Sequence, residues 1–521
     1  MLRLLAALLV AAPAAAAPDA VFDGARIFGA AAAPVAGSWR PSPPALIKAA
    51  ANAPAPAPAL EPAAESNGFT GSGWLGPYAE DDFELTTGRC LVCKAPEEGK
   101  WYFLDEVIAT PKSGRAALIW IGSKEMHEGV KISADGKLAT LKDGTIVPFA
   151  VVAKIEPNRS YYDASSVDYF SGRSVRVRGE MIEKDGVKTL VARTIWPEDW
   201  RVDVANMKEG DAKNAADVDA LVAADKGGAK APFETTLLWA REGAGRAWEG
   251  KPVMGFMLNG AQGDDDEALA GHSSLFTGRM GPDGSMADWL FDNFYDMNTY
   301  SEKGIVAAMT PMDKYMADLN SGQSWYRPSY VLVMVMKSDR APKLFQESFK
   351  EQYEKYYSQA IKYDRTDKNC TALISDPVRE KGWKFPEAGK TPKPVAWLIS
   401  RAVALASDKE AGEQIRKSLR AEPTRHFPRS QFSSVGGDLL TMAGAFGAEP
   451  HSREYTPLER DIQEDLEAVL FVRLPQLPSS REMGRDPAGG VVDYFTRTPM
   501  DRSKWKTHPM PSRPFPPPSK P

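Results

Sequence analysis

The sequence predicts a multidomain chain in which an N-terminal all-β, OB-like barrel precedes an α+β domain and a helical C-terminal region. Three observations carry this reading. Strand-length runs crowd together between about Tyr102 and Val202. Buried-strand runs and one amphipathic helix alternate over residues 233–385. From residue 393 onward, apolar side chains recur at helical spacing.

The chain opens with the parts of an export signal over residues 1–17: Arg3, the apolar run at residues 4–10, and an Ala-x-Ala cleavage pattern within residues 14–17. That run is far short of the ~20 residues that span a bilayer. Residues 18–66 are dominated by Ala and Pro and read as an extended tether. The barrel is assigned to residues 67–205, with strand runs at 116–121, 146–152 and 175–182. Within it, Lys184-Asp185-Gly186-Val187 is an Asp-Gly hairpin turn. A stretch rich in Asp, Lys, Ala and Gly at residues 206–232 reads as a linker. The α+β domain, residues 233–390, holds buried strands at 253–258 and 329–336. Its helix over residues 342–363 carries a core-facing stripe of Phe345, Phe349, Tyr353 and Tyr356. Residues 391–480 form the helical region, with Val395, Leu398, Ile399, Ala402 and Val403 on one face. Residues 481–521 read as a Pro-rich disordered tail.

A hydrophobic content of 43% is ample for packed cores, and a nearly balanced net charge of −5 argues neither for nucleic acid nor for an anionic membrane surface as partner, and no nucleic-acid partner is expected. The longest apolar run after the signal, residues 330–336, has strand length, so no transmembrane segment is expected. The expected product is periplasmic or secreted. Gly71-Ser72-Gly73-Trp74-Leu75-Gly76 matches the dinucleotide fingerprint, but a tether precedes it and Pro77 follows, so it is rejected. Histidines at 127, 272, 426, 451 and 508 form no metal-binding spacing, and neither metal nor cofactor is expected. Cys90-Leu91-Val92-Cys93 fits a local structural disulfide, with a redox role as the alternative.

Those two cysteines leave one odd thiol, Cys370, in Asp367-Lys368-Asn369-Cys370-Thr371-Ala372. Asp367 or Asn369 is a good N-cap, and a helix begins at Thr371 before Pro377 interrupts it. A thiol in a first helical turn feels the positive end of the dipole, which favours thiolate and a developing oxyanion. His272 opens a strand in Gly271-His272-Ser273, and Gly281-Pro282-Asp283-Gly284 folds that strand back as a hairpin. With Pro282-Asp283 as the tip, Asn293 falls opposite His272 and orients the imidazole; a one-residue slip brings Asp292 there instead. Thiolate, base and polar orienter are the parts of a cysteine acyl-transfer site, with Asn369 and Asp292 as supporting groups. The plainer reading makes Cys370 a small buried hydrophobe and His272 a structural residue.

The order of histidine, hairpin, further strand and helix, then Asn369-Cys370-Thr371-Ala372, resembles the circularly permuted papain-like superfamily of NlpC-like and lecithin–retinol-acyltransferase-like enzymes. It is most similar to the exported domain of unknown function at the N-terminus of Lnb-type proteins. The resemblance covers about 150 residues and implies Cys370 as nucleophile, His272 as base and a polar third member. The insert between Thr299 and Arg327 departs from the compact family core. It also implies action on an amide, ester or thioester bond. A peptidoglycan peptide or a lipid acyl group in the envelope is the expected substrate. The competing expectation is a non-catalytic envelope protein with a degenerate papain-like domain and a ligand-binding barrel.

Overall fold

A computed structural model describes residues 83–88, 106–111, 119–123, 125–152, 162–184, 186–223, 231–261, 270–294, 308–357, 360–361, 363, 368–406, 408–445, 453–478 and 486–489. The stretches read as an export signal (residues 1–17) and a tether (residues 18–66), together with Cys90, Cys93, Asp367 and the tail beyond 489, lie outside the described residues.

The barrel is closed and five-stranded. Ahead of it come β1 (Phe83–Gly88), β2 (Glu106–Pro111) and β3 (Ile119–Trp120). Its strands are β4 (Glu125–Ile132), β5 (Leu138–Thr140), β6 (Ile146–Val151), β7 (Val175–Lys184) and β8 (Val187–Pro197), with α1 (Ala164–Phe170) between β6 and β7. They close in the order β4-β5-β6-β8-β7, with β6 and β8 parallel. The Asp-Gly turn joins β7 to β8 as the sequence predicts: Lys184 pairs with Val187, and Gly186 has a φ of 76° that a side chain would strain. Asp163 caps α1 by accepting from the amides of Ser165 and Ser166. The barrel strands begin at Glu125 rather than near residue 67. β1–β3 belong elsewhere, because Ile119 pairs in parallel with Met309 and buries against the core of the large sheet.

That sheet has eleven strands. After β9 (Lys208–Glu209), α2 (Ala215–Leu221) and β10 (Glu234–Ala240) come β11 (Pro252–Asn259), β12 (His272–Arg279), β13 (Leu290–Asp292) and β14 (Met309–Pro311). Then follow α3 (Met312–Ala317), α4 (Gln323–Tyr326), β15 (Ser329–Met336), α5 (Arg340–Tyr357), α6 (Cys370–Lys381), α7 (Lys393–Ala406), α8 (Lys409–Arg420), α9 (Pro428–Ala443), α10 (Pro457–Asp465) and β16 (Leu466–Leu474). The strand order is β1-β2-β3-β14-β13-β12-β11-β15-β16-β10-β9.

β11, β15 and β16 are buried along their whole lengths, which explains why they read as unbroken apolar runs rather than alternating ones. One face, through Met254, Phe256, Leu332 and Phe471, packs on Phe345, Leu373, Trp383 and Phe432 of the helical layer. The other, through Val253, Met257, Phe276, Phe291 and Val333, packs on Trp196 of β8 and Trp200 just after it, and on Met312 and Trp325 of α3 and α4. Two buried ion-pair groups cross that second interface. Arg176 and Arg178 reach Asp313 at 2.9 and 2.7 Å, and Arg193 reaches Asp318 at 2.7 Å.

Barrel and sheet therefore share a core, where the sequence suggested separate domains. The stretch read as a linker contributes β9 and α2, with Asn214 accepting from Ala216 N at 2.9 Å and Val218 fully buried. Gly437 lets α9 approach α2 closely, since a Cβ there would meet Ala215 Cα at 2.7 Å. The C-terminal region is not helical throughout: β16 lies between β15 and β10, driven there by its β-branched and aromatic run Val469-Leu470-Phe471-Val472. The tail also keeps an ordered piece, in which Asp486 accepts from Tyr330 Oη at 3.1 Å. Among the described residues no helix is long and apolar enough to cross a membrane.

Candidate active site

Cys370 is the first residue of α6. Asn369 is its N-cap: Oδ1 accepts from Ala372 N at 3.0 Å while Nδ2 donates to the carbonyl of His426 at 3.0 Å. The same side chain thus caps the helix and pins its start to the loop before α9. Pro377 does not interrupt α6, which runs through it to Lys381 and stops at Gly382 with a left-handed φ of 119°. A proline here removes one intrahelical donor, and packing of Leu373, Ile374 and Val378 in the core holds the helix together across the gap.

His272 opens β12 and pairs in the ladder with Asn259 of β11. Gly271 sets it there with a φ of 103°, and a Cβ at that position would meet the Asn259 carbonyl at 2.6 Å. The expected hairpin register is corrected by two residues: Leu275 pairs with Asp292, Phe276 with Phe291 and Thr277 with Leu290. The turn is a short 3-10 segment, Pro282–Gly284, with Asp283 at φ 52°, and residues 285–289 loop before β13 begins. Because strand faces alternate, a two-residue displacement leaves Asn293 on the same face as His272. Asn293 Oδ1 has no hydrogen bond of good geometry, yet its side chain interacts with the imidazole and favours the protonated form. Asp292 falls on the opposite face, buried, and neither of its oxygens has a hydrogen-bond partner among the described residues. Burial pushes its carboxyl well above the usual range despite the opposing charge of Lys350. It does not orient His272.

Ser273 links the start of β12 to the start of α6. The backbone amide of Ser273, the residue after His272, acts on the Cys370 sulfur and favours its thiolate, while Thr371 Oγ1 lies 3.9 Å from the sulfur. Cys370 N donates to Tyr363 Oη at 3.3 Å, so that first-turn amide is held by a phenol hydroxyl. Arg327 supplies the charge. It is buried, with Nε donating to Gln323 Oε1 at 3.0 Å and Nη1 to the Gly260 carbonyl at 3.3 Å, and its field reaches both Cys370 and His272.

Both groups are neutral at rest. Burial, and then Arg327, pull His272 down to about 3, with Asn293 opposing. Burial pushes the Cys370 thiol up and outweighs the Ser273 amide, Thr371, Arg327 and Tyr363, which all favour thiolate. The expectation of a thiolate is thus corrected: desolvation of the sulfur exceeds what the helix terminus and its donors return. A neutral imidazole within reach of a neutral thiol can accept its proton as a bond forms.

Sequence reading missed Arg327, Tyr363 and Asn259. Arg327 sits in the segment set aside as an insert, just before Pro328 and β15, where a lone arginine gives no signal of its own. Asn259 is fully buried at the end of an apolar strand, accepting from Tyr315 Oη at 2.5 Å and donating to Ser329 Oγ at 2.8 Å. That buried amide in Met257-Leu258-Asn259 was the legible hint. Cys90 and Cys93 lie outside the described residues, and among those described no group of three or more His, Cys, Asp or Glu side chains is placed to hold a metal. No family profile, curated protein or solved structure matches this chain.

Proposed function

We propose that the chain is a cysteine-dependent hydrolase or acyltransferase of the permuted papain-like kind. It acts on an amide, ester or thioester bond of an envelope peptide or lipid. The observation that carries this reading is Cys370 at the capped start of α6, its sulfur under the influence of the Ser273 amide next to His272 at the start of β12. In the proposed reaction the imidazole of His272 takes the Sγ proton as sulfur attacks the carbonyl carbon. The charge of Arg327 and the Tyr363 hydroxyl are assigned in this reaction to the carbonyl oxygen as it gains charge. The imidazolium returns the proton to the departing amine, alcohol or thiol, leaving a thioester on Cys370. Water or an acceptor alcohol or amine then attacks that thioester and regenerates the thiol. The barrel order, with its parallel β6–β8 pair and intervening α1, supports an OB-like accessory module.

A second reading is favoured by burial: Cys370 is only 7% exposed and His272 only 4%. Under it the site is a degenerate scaffold and the barrel does the binding. Activated acyl esters, one short-chain and one long-chain, separate the two. Catalysis by a positioned base typically contributes 10²–10⁴-fold. The enzyme reading expects an acyl adduct on Cys370 by intact mass, formed about 10²-fold more slowly in His272→Ala. No adduct, or an equal rate in the variant, leaves the scaffold.

A further inference from the structure

The hairpin of α7 and α8 carries a surface that the site does not use. The two helices pack on each other through Ala396 and Ser400 of α7 and Gly412, Ile415 and Leu419 of α8. Gly412 makes the approach close, for a Cβ there would meet Ala404 Cβ at 2.7 Å. The outer side of α7 is left to solvent. Trp397 is 55% exposed, Leu398 63% and Leu405 82%. Four of the ten large exposed apolar residues among those described lie on this one helix, the fourth being Val395. Trp397, Leu398, Arg401 and Leu405 follow the i, i+1, i+4, i+8 spacing that puts them on one side of a helix. Scattered apolar residues on a surface need no explanation, whereas a contiguous apolar stripe does.

Charge says what covers it. Residues 391–407 contain Lys393 and Arg401 and no acidic residue. Residues 390–420 hold seven Lys and Arg against three Asp and Glu, in a chain whose net charge is −5. Arg401 lies over the Trp397 ring at 5.5 Å, so its guanidinium sits at the polar edge of the apolar stripe. An indole, branched aliphatics and long basic side chains on one helix face are the chemistry of a bilayer interface, where the ring occupies the headgroup level and the cations meet phosphate. A protein groove would match the apolar stripe, whereas lipid phosphates also match Lys393 and Arg401 on α7.

We propose that the α7–α8 hairpin docks this protein on an anionic bilayer surface, with Val395, Trp397, Leu398 and Leu405 entering the headgroup–acyl boundary and Lys393 and Arg401 meeting lipid phosphates. The whole-chain charge conceals this face, because the basic residues are concentrated in one short segment. The contact is peripheral and salt-sensitive, since its electrostatic part falls off within a Debye length of about 8–10 Å.

Vesicle flotation of the full chain tests it, using vesicles of phosphatidylglycerol with phosphatidylcholine and vesicles of phosphatidylcholine alone. Binding to the anionic vesicles is expected, weakened at least tenfold on pure phosphatidylcholine and weakened again at 1 M salt. The triple variant Trp397→Ser, Leu398→Ser, Leu405→Ser is expected to lose binding with an unchanged melting temperature, because the replaced side chains are exposed. The pair Lys393→Glu, Arg401→Glu, which leaves the apolar stripe intact, is expected to lose at least tenfold. Failure of the wild-type chain to float, or flotation unchanged in both variants, overturns the proposal. So does a concentration-dependent mass increase that the triple variant abolishes while vesicles are ignored, since a second copy then covers the stripe.

Discussion

The main-chain amide of Ser273 acts on the sulfur of Cys370 and favours its thiolate. That interaction links the residue after His272 to the first residue of α6, and with it a strand end to a helix start about a hundred residues later. One partner is main chain, and the other, the sulfur, is one bond from its Cβ. The geometry of the site is set by where β12 begins and where α6 begins, so changes to either start should be felt at the sulfur.

Alkylation of Cys370 by iodoacetamide should be slow at pH 7 and keep rising past pH 9, with no plateau near neutrality. The cause is burial, which raises the thiol above its ordinary value and leaves the thiolate a minor species at pH 7. Mass spectrometry of the Cys370 peptide across pH 6–10 checks this. A plateau below pH 7 would show a thiolate at rest.

Acid should destabilise the fold through His272. Its folded pKa of about 3 lies below the unfolded value near 6.5, so beneath pH 6.5 the unfolded chain binds a proton that the folded one refuses. Stability from this group is complete above pH 6.5 and is lost toward pH 3, at up to about 1.4 kcal/mol per pH unit. Asp292 works the other way, because its raised carboxyl contributes stability at low pH that is lost as pH rises through its folded value. The difference between wild type and His272→Gln isolates the histidine. Urea melts at pH 7, 6, 5 and 4 should converge as pH falls, and parallel curves would contradict the burial argument.

Removing Asp313 should cost more than removing a surface acid. It accepts from Arg178 and forms an ion pair with Arg176, both buried, and Asp313→Ala leaves two guanidinium groups short of their shared carboxylate. Breaking a buried pair this way typically costs about 3–5 kcal/mol. The barrel and the sheet should still unfold in one transition by tryptophan fluorescence and by calorimetry, because they share a core. Two resolved transitions in the wild-type chain would mean the interface is looser than its burial indicates.

Asn369→Ala should destabilise by at least the ~1 kcal/mol of an ordinary cap, since the side chain also holds the His426 carbonyl. Asn369→Asp keeps the Ala372 bond and loses only the donor. Denaturant midpoints should therefore rank wild type above Asn369→Asp above Asn369→Ala. A reversed order of the two variants would show that the Ala372 bond contributes less than a carboxylate beside the His426 carbonyl costs.

Local signals carried the parts of the fold that were legible. Asp185-Gly186 announces its hairpin because only a residue tolerant of positive φ fits there, and Asn369 announces a helix start because its side chain replaces a missing acceptor. The β12–β13 register was not legible. A wide connection through Met286 and Trp289 stands where a tight two-residue turn was expected, and tertiary burial of those side chains pays for it. The face of Asn293 survived only because the displacement was even. The shared core of barrel and sheet was also hidden, since Arg176, Arg178 and Arg193 look like exposed strand residues until their carboxylate partners, more than a hundred residues away, are placed.

The position of β16 bears on how the molecule comes to be made. β10 pairs with β16 and with the two-residue β9, and β15 needs β16 on its other side. Until Leu466–Leu474 has been delivered, β10 and β15 present bare, apolar edges separated by one missing strand. Assembly of the sheet centre is thus deferred to nearly the last part of the described chain, and a long loop must close before it is rewarded. A chain arrested before Leu466 carries two such edges at once, which makes it a candidate for edge-to-edge self-association and a substrate for whatever guards unfinished polypeptides.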